Sequence, residues 1–280
     1  MGLERILKKP LTYLLAAQIG LLGNMIYTNV DISNDRSEKH QKAPITIQIE
    51  ERKGEKYAIL VSADGEDRYK ENITFGYQSL LSAGFKAENI YVLSGHEDIG
   101  DYNRGEATQE NLKKYLSELK GKIDQDDFLL FYMTNHGGKE YIFFGESEVE
   151  LDRKNVTASN LRDMFNGINP NYAIAVFTQC QPGEFLDYFG QSNRIAIGSS
   201  RKNKNSFGND FSIAFFEGLG GRDKSGNQID SDSNNDGKIS IEELFDYASR
   251  NDKNTEGKGL GKETPQMYWQ NANPRDLYIR

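Results

Sequence analysis

The sequence has few of the residues that build disulfide frameworks and zinc sites. Its 280 residues include one cysteine, Cys180, and three histidines. One cysteine excludes an internal disulfide, and three scattered histidines do not supply the ligand spacings of a structural zinc site. Lysine and arginine form no long dense run and the net charge is −8, so we expect no nucleic-acid partner. The apolar fraction of 37%, with 15 Phe and 15 Tyr, suffices for a large core.

A glycine-rich phosphate loop is also missing after the first apolar run. The segment that follows this run, SADGEDR at 62–68, is rich in carboxylates, which repel phosphate. A doubly wound domain that binds a nucleotide is therefore a weak alternative, and we expect no organic cofactor.

The N-terminal part combines basic residues with an apolar segment. Residues 1–9 carry three basic side chains, and LTYLLAAQIGLLG follows at 11–23. This order is typical of a secretory signal or a membrane anchor, so residues 1–27 are predicted to export the chain or to anchor it. An amphipathic helix docked on the domain is the alternative, which leaves a cytoplasmic location open. Residues 28–54 are predicted to be a polar linker or pro-segment, and 55–280 the main domain.

Short apolar runs alternate with helical patterns along the main domain. The runs predict buried strands at 56–62, 88–94, 128–133, 172–178 and 194–200. The helical patterns lie at 73–84, 107–121 and 158–168. This alternation predicts a three-layer α/β/α sandwich around a mainly parallel central sheet. One excursion, KEYIFFGESEVEL at 139–151, alternates around Gly145 and predicts a β-hairpin.

Two of the apolar runs end at residues with reactive side chains. FLLFYMTN is followed by His136 and two glycines, and YAIAVFTQ is followed by Cys180. Because the carboxyl ends of parallel strands meet at one edge of a sheet, we expect the imidazole and the thiol to lie there together. A thiolate is a nucleophile that an adjacent imidazole can activate, and Gly137 would let a backbone N–H approach a substrate carbonyl. The alternative is a buried structural cysteine beside an unrelated loop histidine.

Four stretches in this order resemble the legumain-like branch of the caspase–legumain cysteine peptidases, which includes the peptidase subunit of the GPI transamidase. They are DRYKENITFGYQ (67–78), FYMTNHGG (131–138), TQCQPGEF (178–185) and GSSRKNKNSFGNDFSIAFFEGL (198–219). The resemblance implies the caspase–hemoglobinase fold and a peptide or protein substrate. It implies that Cys180 is the nucleophile and His136 the general base, with the N–H groups of Gly137 and Cys180 forming the oxyanion hole.

The same resemblance implies a specificity pocket for Asn or Asp before the cleaved bond. Arg68 matches the pocket arginine and Ser199 lies on the opposite wall. A guanidinium has its own physical reason for this role, because it grips side-chain oxygens. Gln181 stands where the family has a glutamate, which could favour an acidic side chain and makes Asp compete with Asn.

Other positions depart from the family pattern. Glu66 replaces an asparagine two residues before the pocket arginine, Tyr69 replaces a histidine, and Asn135 replaces the common Asp before the catalytic histidine. These changes leave the nucleophile and the base in place and affect the expected substrate preference.

A twelve-residue stretch, DSNNDGKISIEE at 232–243, fits the pattern of an EF-hand calcium loop. Its predicted oxygen ligands are Asp232, Asn234, Asp236, the Lys238 carbonyl and Glu243. No clear helix enters the loop and no second loop is present to pair with it, so we expect weak, structural Ca²⁺ binding. An acidic surface turn is the alternative.

The sequence therefore predicts a cysteine endopeptidase. A transpeptidase or transamidase, in which an amine replaces the hydrolytic water, is a sister hypothesis. A catalytically silent module that binds calcium or a partner is the rival from another class. Membrane contact is predicted only through the N-terminal segment.

Overall fold

The computed structural model describes residues 54–63, 65–96, 98–144, 155–191, 193–206, 209–253, 263–271 and 273–279. The predicted signal or anchor at 1–27 and nearly all of the linker at 28–54 lie outside these residues and stay predictions. Among the described residues, no helix combines the length and the apolar character needed to cross a bilayer.

The strands come from the short apolar runs that the sequence shows. In chain order they are β1 (Lys56–Ser62), β2 (Ile90–Ser94), β3 (Phe128–Thr134), β4 (Gly137–Gly138), β5 (Tyr141–Ile142), β6 (Val156–Thr157), β7 (Tyr172–Phe177), β8 (Arg194–Gly198) and β9 (Gln266–Tyr268). In the part of the chain that is described, the main sheet has the order β2-β1-β3-β7-β8-β9. Its pairs are parallel except for β9, which runs antiparallel to β8.

Helices cover both faces of this sheet. They are α1 (Asp67–Ser82), α2 (Gln109–Lys120), α3 (Ala158–Met164), α4 (Gly183–Phe189), α5 (Asp210–Gly220) and α6 (Ile241–Asn251), with a 3₁₀ turn at Ala87–Asn89. Alternate strand residues point to opposite faces, so Ile59 packs with α2, α3 and α4, whereas Leu60 packs with α1, α5 and α6. The predicted three-layer α/β/α sandwich with a mainly parallel sheet is confirmed.

The local sequence signals predict the bounds of α2 well but misplace the start of α1. The Thr108 hydroxyl accepts a hydrogen bond from the Asn111 N–H, and α2 ends at Gly121, as predicted. Helix α1 begins at Asp67, six residues before the predicted start at 73. Its first turns are mostly polar and carry no apolar period, although Tyr69 and Asn72 are buried.

The excursion after His136 is antiparallel, as predicted, but its pairing differs. Strands β4, β5 and β6 form a small antiparallel sheet, with Gly138 opposite Tyr141 and Tyr141 opposite Thr157. The tight turn therefore lies at 139–140, and the predicted turn residue Gly145 lies outside the described residues.

Candidate active site

His136 and Cys180 follow two neighbouring strands in the same register. Strands β3 and β7 pair in parallel, with Met133 opposite Phe177, and each reactive residue lies three positions beyond its member of that pair. The Thr178 N–H donates to the Met133 carbonyl at 3.1 Å, which keeps the two chains together past the strand ends. The sheet thus brings the His-Gly and Cys segments to one edge.

The imidazole of His136 is held by the carboxylate of Glu66, the residue that immediately precedes α1. Its Nε2 lies 2.7 Å from Glu66 Oε1, and the Tyr69 ring meets the imidazole edge-on with centroids 5.8 Å apart. The preceding residue, Asn135, is buried and clamps the backbone: its Oδ1 accepts from the His136 N–H at 2.7 Å, and its Nδ2 donates to the Phe143 carbonyl at 2.7 Å. The ring is therefore oriented by both its own loop and α1.

The same carboxylate also binds Arg68. The Arg68 Nε donates to Glu66 Oε2 at 2.6 Å, and Nη2 donates to the Tyr69 hydroxyl at 2.8 Å. Burial raises the pKa of the Glu66 carboxyl, but hydrogen bonds from His136 and Arg68 lower it by more, so the pKa lies below its ordinary value of 4.5. Glu66 is therefore ionised at neutral pH and links the predicted pocket arginine to the imidazole.

The thiol of Cys180 lies in a second hydrogen-bonded group at the same edge. The Sγ donates to the Ser206 carbonyl at 3.5 Å, and the buried Ser199 hydroxyl donates to the Ser206 hydroxyl at 2.9 Å. The Gln181 N–H donates to the Lys204 carbonyl at 2.9 Å, which fixes the nucleophile loop against the loop after β8. Gln181 itself has a φ of 56°, a left-handed conformation that strains a residue with a side chain. The thiol is half-buried and forms no disulfide, so an incoming carbonyl can reach it.

Gly137 lies where the His136 segment meets the Cys180 segment. A Cβ at this position would lie 2.7 Å from the Cγ of Gln179 and 2.8 Å from the Tyr141 carbonyl, so only glycine fits. The Phe143 N–H donates to the His136 carbonyl, and Gly137 is paired with Ile142. Because hydrogen-bonded and non-bonded pairs alternate in antiparallel strands, the Gly137 N–H is directed away from β5.

Comparison with known proteins identifies the family of this chain. The model of the Peptidase C13 family matches residues 100–271, more than half of the sequence, including both His136 and Cys180. The chain belongs to the Peptidase C13 family. The legumain-like resemblance inferred from the His-Gly and Cys motifs is thereby confirmed. Membership in this cysteine peptidase and transamidase family implies a peptide or protein substrate.

One curated relative shares part of the sequence. It is the GPI-anchor transamidase of Saccharomyces cerevisiae, which is 27% identical over 116 residues. The aligned part covers 38% of this chain and 28% of the yeast protein. The chain thus matches little more than a quarter of that relative's length.

The structure also places at the candidate site residues that were not assigned to it from the sequence. Glu66 was noted only as a departure from the family pattern, and Ser206 was not singled out. Gln179 was also missed: it is fully buried between Gly137 and the nucleophile loop, and neither polar atom of its amide has a partner among the described residues. The position of Glu66 two residues before Arg68 was a sequence signal, but its contact with His136 spans 70 residues and has no local signature.

The predicted calcium loop forms a compact acidic turn at the start of α6. Its side-chain oxygens turn toward the backbone of the loop: Asp232 Oδ2 accepts from the Gly237 N–H at 2.8 Å and Asn234 Oδ1 accepts from the Asp236 N–H at 2.8 Å. The Asp236 Oδ1 accepts from the Lys238 N–H at 2.9 Å. Among the described residues, no three His, Cys, Asp or Glu side chains form a group that could hold a metal ion.

Glu243 caps α6 with both of its carboxylate oxygens. Oε2 accepts from the N–H and hydroxyl of Ser240 at 3.0 and 2.9 Å, which completes a capping box. Oε1 accepts from the Ser233 and Asn234 N–H groups, both at 3.1 Å. Burial raises the pKa of Glu243, but hydrogen bonds from Ser240, Ser233 and Asn234 lower it by more. Its carboxylate therefore has a structural role without any ion.

Replacing Glu66 by glutamine is expected to reduce kcat/KM roughly 10-fold. Losing a charge-assisted hydrogen bond between partly exposed groups has about this effect, because the amide no longer stabilises the charged imidazole. In the wild type the carboxylate acts above pH 4.5 and its effect is lost as pH falls through its lower folded-state pKa. The pH–rate profiles of the two proteins should therefore converge on the acid side.

The control for this change is Glu71→Gln, five residues further along the chain in α1. Glu71 contacts Lys224 and Asn209 rather than the imidazole. An equal loss of activity in both variants, or none in Glu66→Gln, would remove Glu66 from the site.

Proposed function

We propose that the chain is a cysteine endopeptidase that cleaves peptide bonds after Asn or Asp. The observation that carries this proposal is the shared register of His136 and Cys180 beyond the paired strands β3 and β7. Gly137, at a position that only glycine can occupy, follows His136 and lies against Gln179, the residue before Cys180. A nucleophile, a base and a backbone N–H at one edge are the parts that acyl transfer needs.

The reaction follows from these parts. The Cys180 thiolate attacks the scissile carbonyl carbon, and the N–H groups of Gly137 and Cys180 stabilise the oxyanion that forms. His136, held by Glu66, gives its proton to the leaving amine as the C–N bond breaks. His136 then takes a proton from water, the water oxygen attacks the thioester carbon, and the C–S bond breaks to release the acid product and restore the Cys180 thiolate beside a protonated His136.

Arg68 supplies the expected preference for Asn or Asp. Its guanidinium has five N–H donors, of which one is given to Glu66 and one to Tyr69. The remaining donors can bind side-chain oxygens of the substrate. Ser199 and Gln181 border the thiol on the opposite side through Ser206 and Lys204. Because Asn and Asp both present such oxygens, both belong in the test.

A second candidate function is amine transfer. The similarity to a GPI-anchor transamidase favours it, since an amine in place of water would attack the same thioester. The two functions share every residue named above, and they differ in how the thioester is partitioned between water and an amine.

The test uses the full chain with peptides that vary at the residue before the cleaved bond. We expect cleavage after Asn or Asp and alkylation of Cys180 by iodoacetamide, located by mass spectrometry. Adding hydroxylamine separates the two activities, because a transamidase converts most of the product to the hydroxamate. No cleavage of any peptide, together with a thiol inert to alkylation, would favour the catalytically silent module.

We also propose that the loop at 232–243 binds Ca²⁺ as a structural ion. Its support is the ligand chemistry of the Asp232, Asn234 and Asp236 side chains and the Lys238 carbonyl. The carboxylate of Glu243 would have to release some of its present hydrogen bonds to coordinate, which is consistent with weak binding. Millimolar Ca²⁺ is expected to raise the Tm, and EGTA to reverse the rise.

Asp232→Asn should remove this calcium response. The amide oxygen of asparagine can keep the 2.8 Å hydrogen bond from Gly237, and only the longer 3.2 Å bond from the Asp236 N–H is lost. The Tm without calcium should therefore change little. Weak extracellular calcium modules have Kd values of about 10⁻⁴ to 10⁻³ M. If the wild-type Tm does not change with Ca²⁺ up to about 10 mM, the loop is an acidic surface turn instead.

A further inference from the structure

The loop after β8 forms one wall of the site that contains Cys180. The Ser206 carbonyl accepts from the thiol, and the Lys204 carbonyl accepts from the N–H of Gln181. A Cβ on Gly183 would lie 2.3 Å from the Lys202 backbone nitrogen, so the two loops are in direct contact. A peptide that places its carbonyl at Cys180 must pass along this wall.

Cations are concentrated on the outer side of this wall. Residues 201–205 read RKNKN and all five are exposed. Lys202 forms an ion pair with Asp187 of α4. Arg201 and Lys204 have no carboxylate partner among the described residues, although the whole chain has a net charge of −8. Two cations without a carboxylate partner in the described part of the chain thus lie on the loop that contacts Cys180 and Gln181.

The surrounding anions leave these two cations available. The carboxylates that face Lys202 are Asp187, Glu184 and Glu140. Glu184 belongs to α4 and is buried, and its charge acts on Lys202 as the other two do. Arg68, the other cation of the site, is already bound by Glu66. Arg201 and Lys204 are therefore the exposed cations of this loop that no carboxylate of the described residues binds.

We propose that Arg201 and Lys204 select peptides with acidic side chains next to the cleaved bond. This inference rests on the proposed function, because it assigns a substrate class to the same site. Exposed cations beside a reactive group raise the local concentration of an oppositely charged ligand and accelerate its association. They do so in a salt-dependent way, because the Debye length is about 10 Å at 0.1 M ionic strength.

The test compares two peptides that share the residue before the cleaved bond and differ in three flanking residues, Asp in one and Ser in the other. At low salt we expect the acidic peptide to have a kcat/KM roughly 3- to 10-fold higher, the effect of two exposed ion pairs. The ratio should fall toward one at 0.5 M NaCl. In Arg201→Gln/Lys204→Gln it should be about one at every salt concentration.

The matched control is Lys113→Gln/Lys114→Gln, which removes the same charge from α2. This helix packs against β2, which is three strands away from β7 in the main sheet. The control should keep the preference for the acidic peptide. Equal loss in both double variants would show a general effect of net charge and would overturn the proposal.

A measurement of peptide binding tests this inference independently of the proposed function. Fluorescence anisotropy of labelled peptides with Cys180→Ala measures the acidic preference without catalysis, whereas cleavage of the neutral peptide tests the peptidase alone. Equal affinity for the two peptides would overturn the inference even if both are cleaved. So would sedimentation with phosphatidylserine vesicles that depends on Arg201 and Lys204 without any peptide preference, because the loop would then serve a membrane surface.

Discussion

Replacement of Cys180 by alanine should reduce peptide cleavage by at least about 10⁴-fold, the scale seen when a catalytic nucleophile is removed. His136→Ala should have a comparable effect, because the thiol then loses the group that activates it and the leaving amine loses its proton donor. The double variant should be no worse than either single one, since the two residues act as a unit. Initial rates with an Asn peptide and an Asp peptide measure this.

Both replacements should leave the fold intact. The thiol donates a long hydrogen bond of 3.5 Å to the Ser206 carbonyl, and the His136 side chain is 39% exposed. The Tm of each variant should therefore stay close to that of the wild type. Residual cleavage above a tenth of the wild-type rate in correctly folded Cys180→Ala would show that another residue is the nucleophile.

Gly137→Ala is the second large effect that we expect. The added methyl group would lie 2.7 Å from the Cγ of Gln179 and 2.8 Å from the Tyr141 carbonyl. The backbone must therefore shift, and with it the N–H that is proposed to bind the oxyanion. Loss of one oxyanion donor lowers kcat by about 10²- to 10³-fold. KM should change little, because the donor acts mainly in the transition state.

A readout besides activity separates displacement of the N–H from misfolding. The rate at which iodoacetamide alkylates Cys180 should be retained in Gly137→Ala, because this reaction uses the thiolate but no oxyanion hole. Gly121→Ala is the control, since its Cβ would meet nothing closer than the Glu118 carbonyl at 3.6 Å. A kcat equal to that of the wild type in a folded Gly137→Ala protein would exclude this N–H from catalysis.

Most of the fold followed from local patterns. The runs KYAILVS and FLLFYM are apolar at every or nearly every position, which only a strand covered on both faces requires, and both are strands within a residue of the predicted bounds. The cap at Thr108 placed α2 in the same way. The start of α1 was misplaced because its polar first turns bury Tyr69 against the site rather than along a regular apolar stripe.

Some residues of the candidate site could likewise be predicted from local patterns, and others could not. Cys180 and His136 could be named from sequence because each follows a buried strand, and parallel strands end at one edge. Arg68 and Ser199 could be assigned by resemblance alone. The ionic link from Arg68 through Glu66 to His136 could not be predicted from the sequence. It joins residues that are far apart in the chain and come together only when β1 and β3 pair.

The sequence by itself determined that a thiol and an imidazole end two buried runs, because burial requires apolar composition and composition is local. The tertiary structure alone decided the neighbours of these groups. The order β2-β1-β3-β7-β8-β9 puts α1 beside the His136 loop and the β8 loop beside Cys180. Strand order and helix docking depend on long-range packing between distant segments, so the charges that surround a reactive group are set only when the whole sheet has assembled.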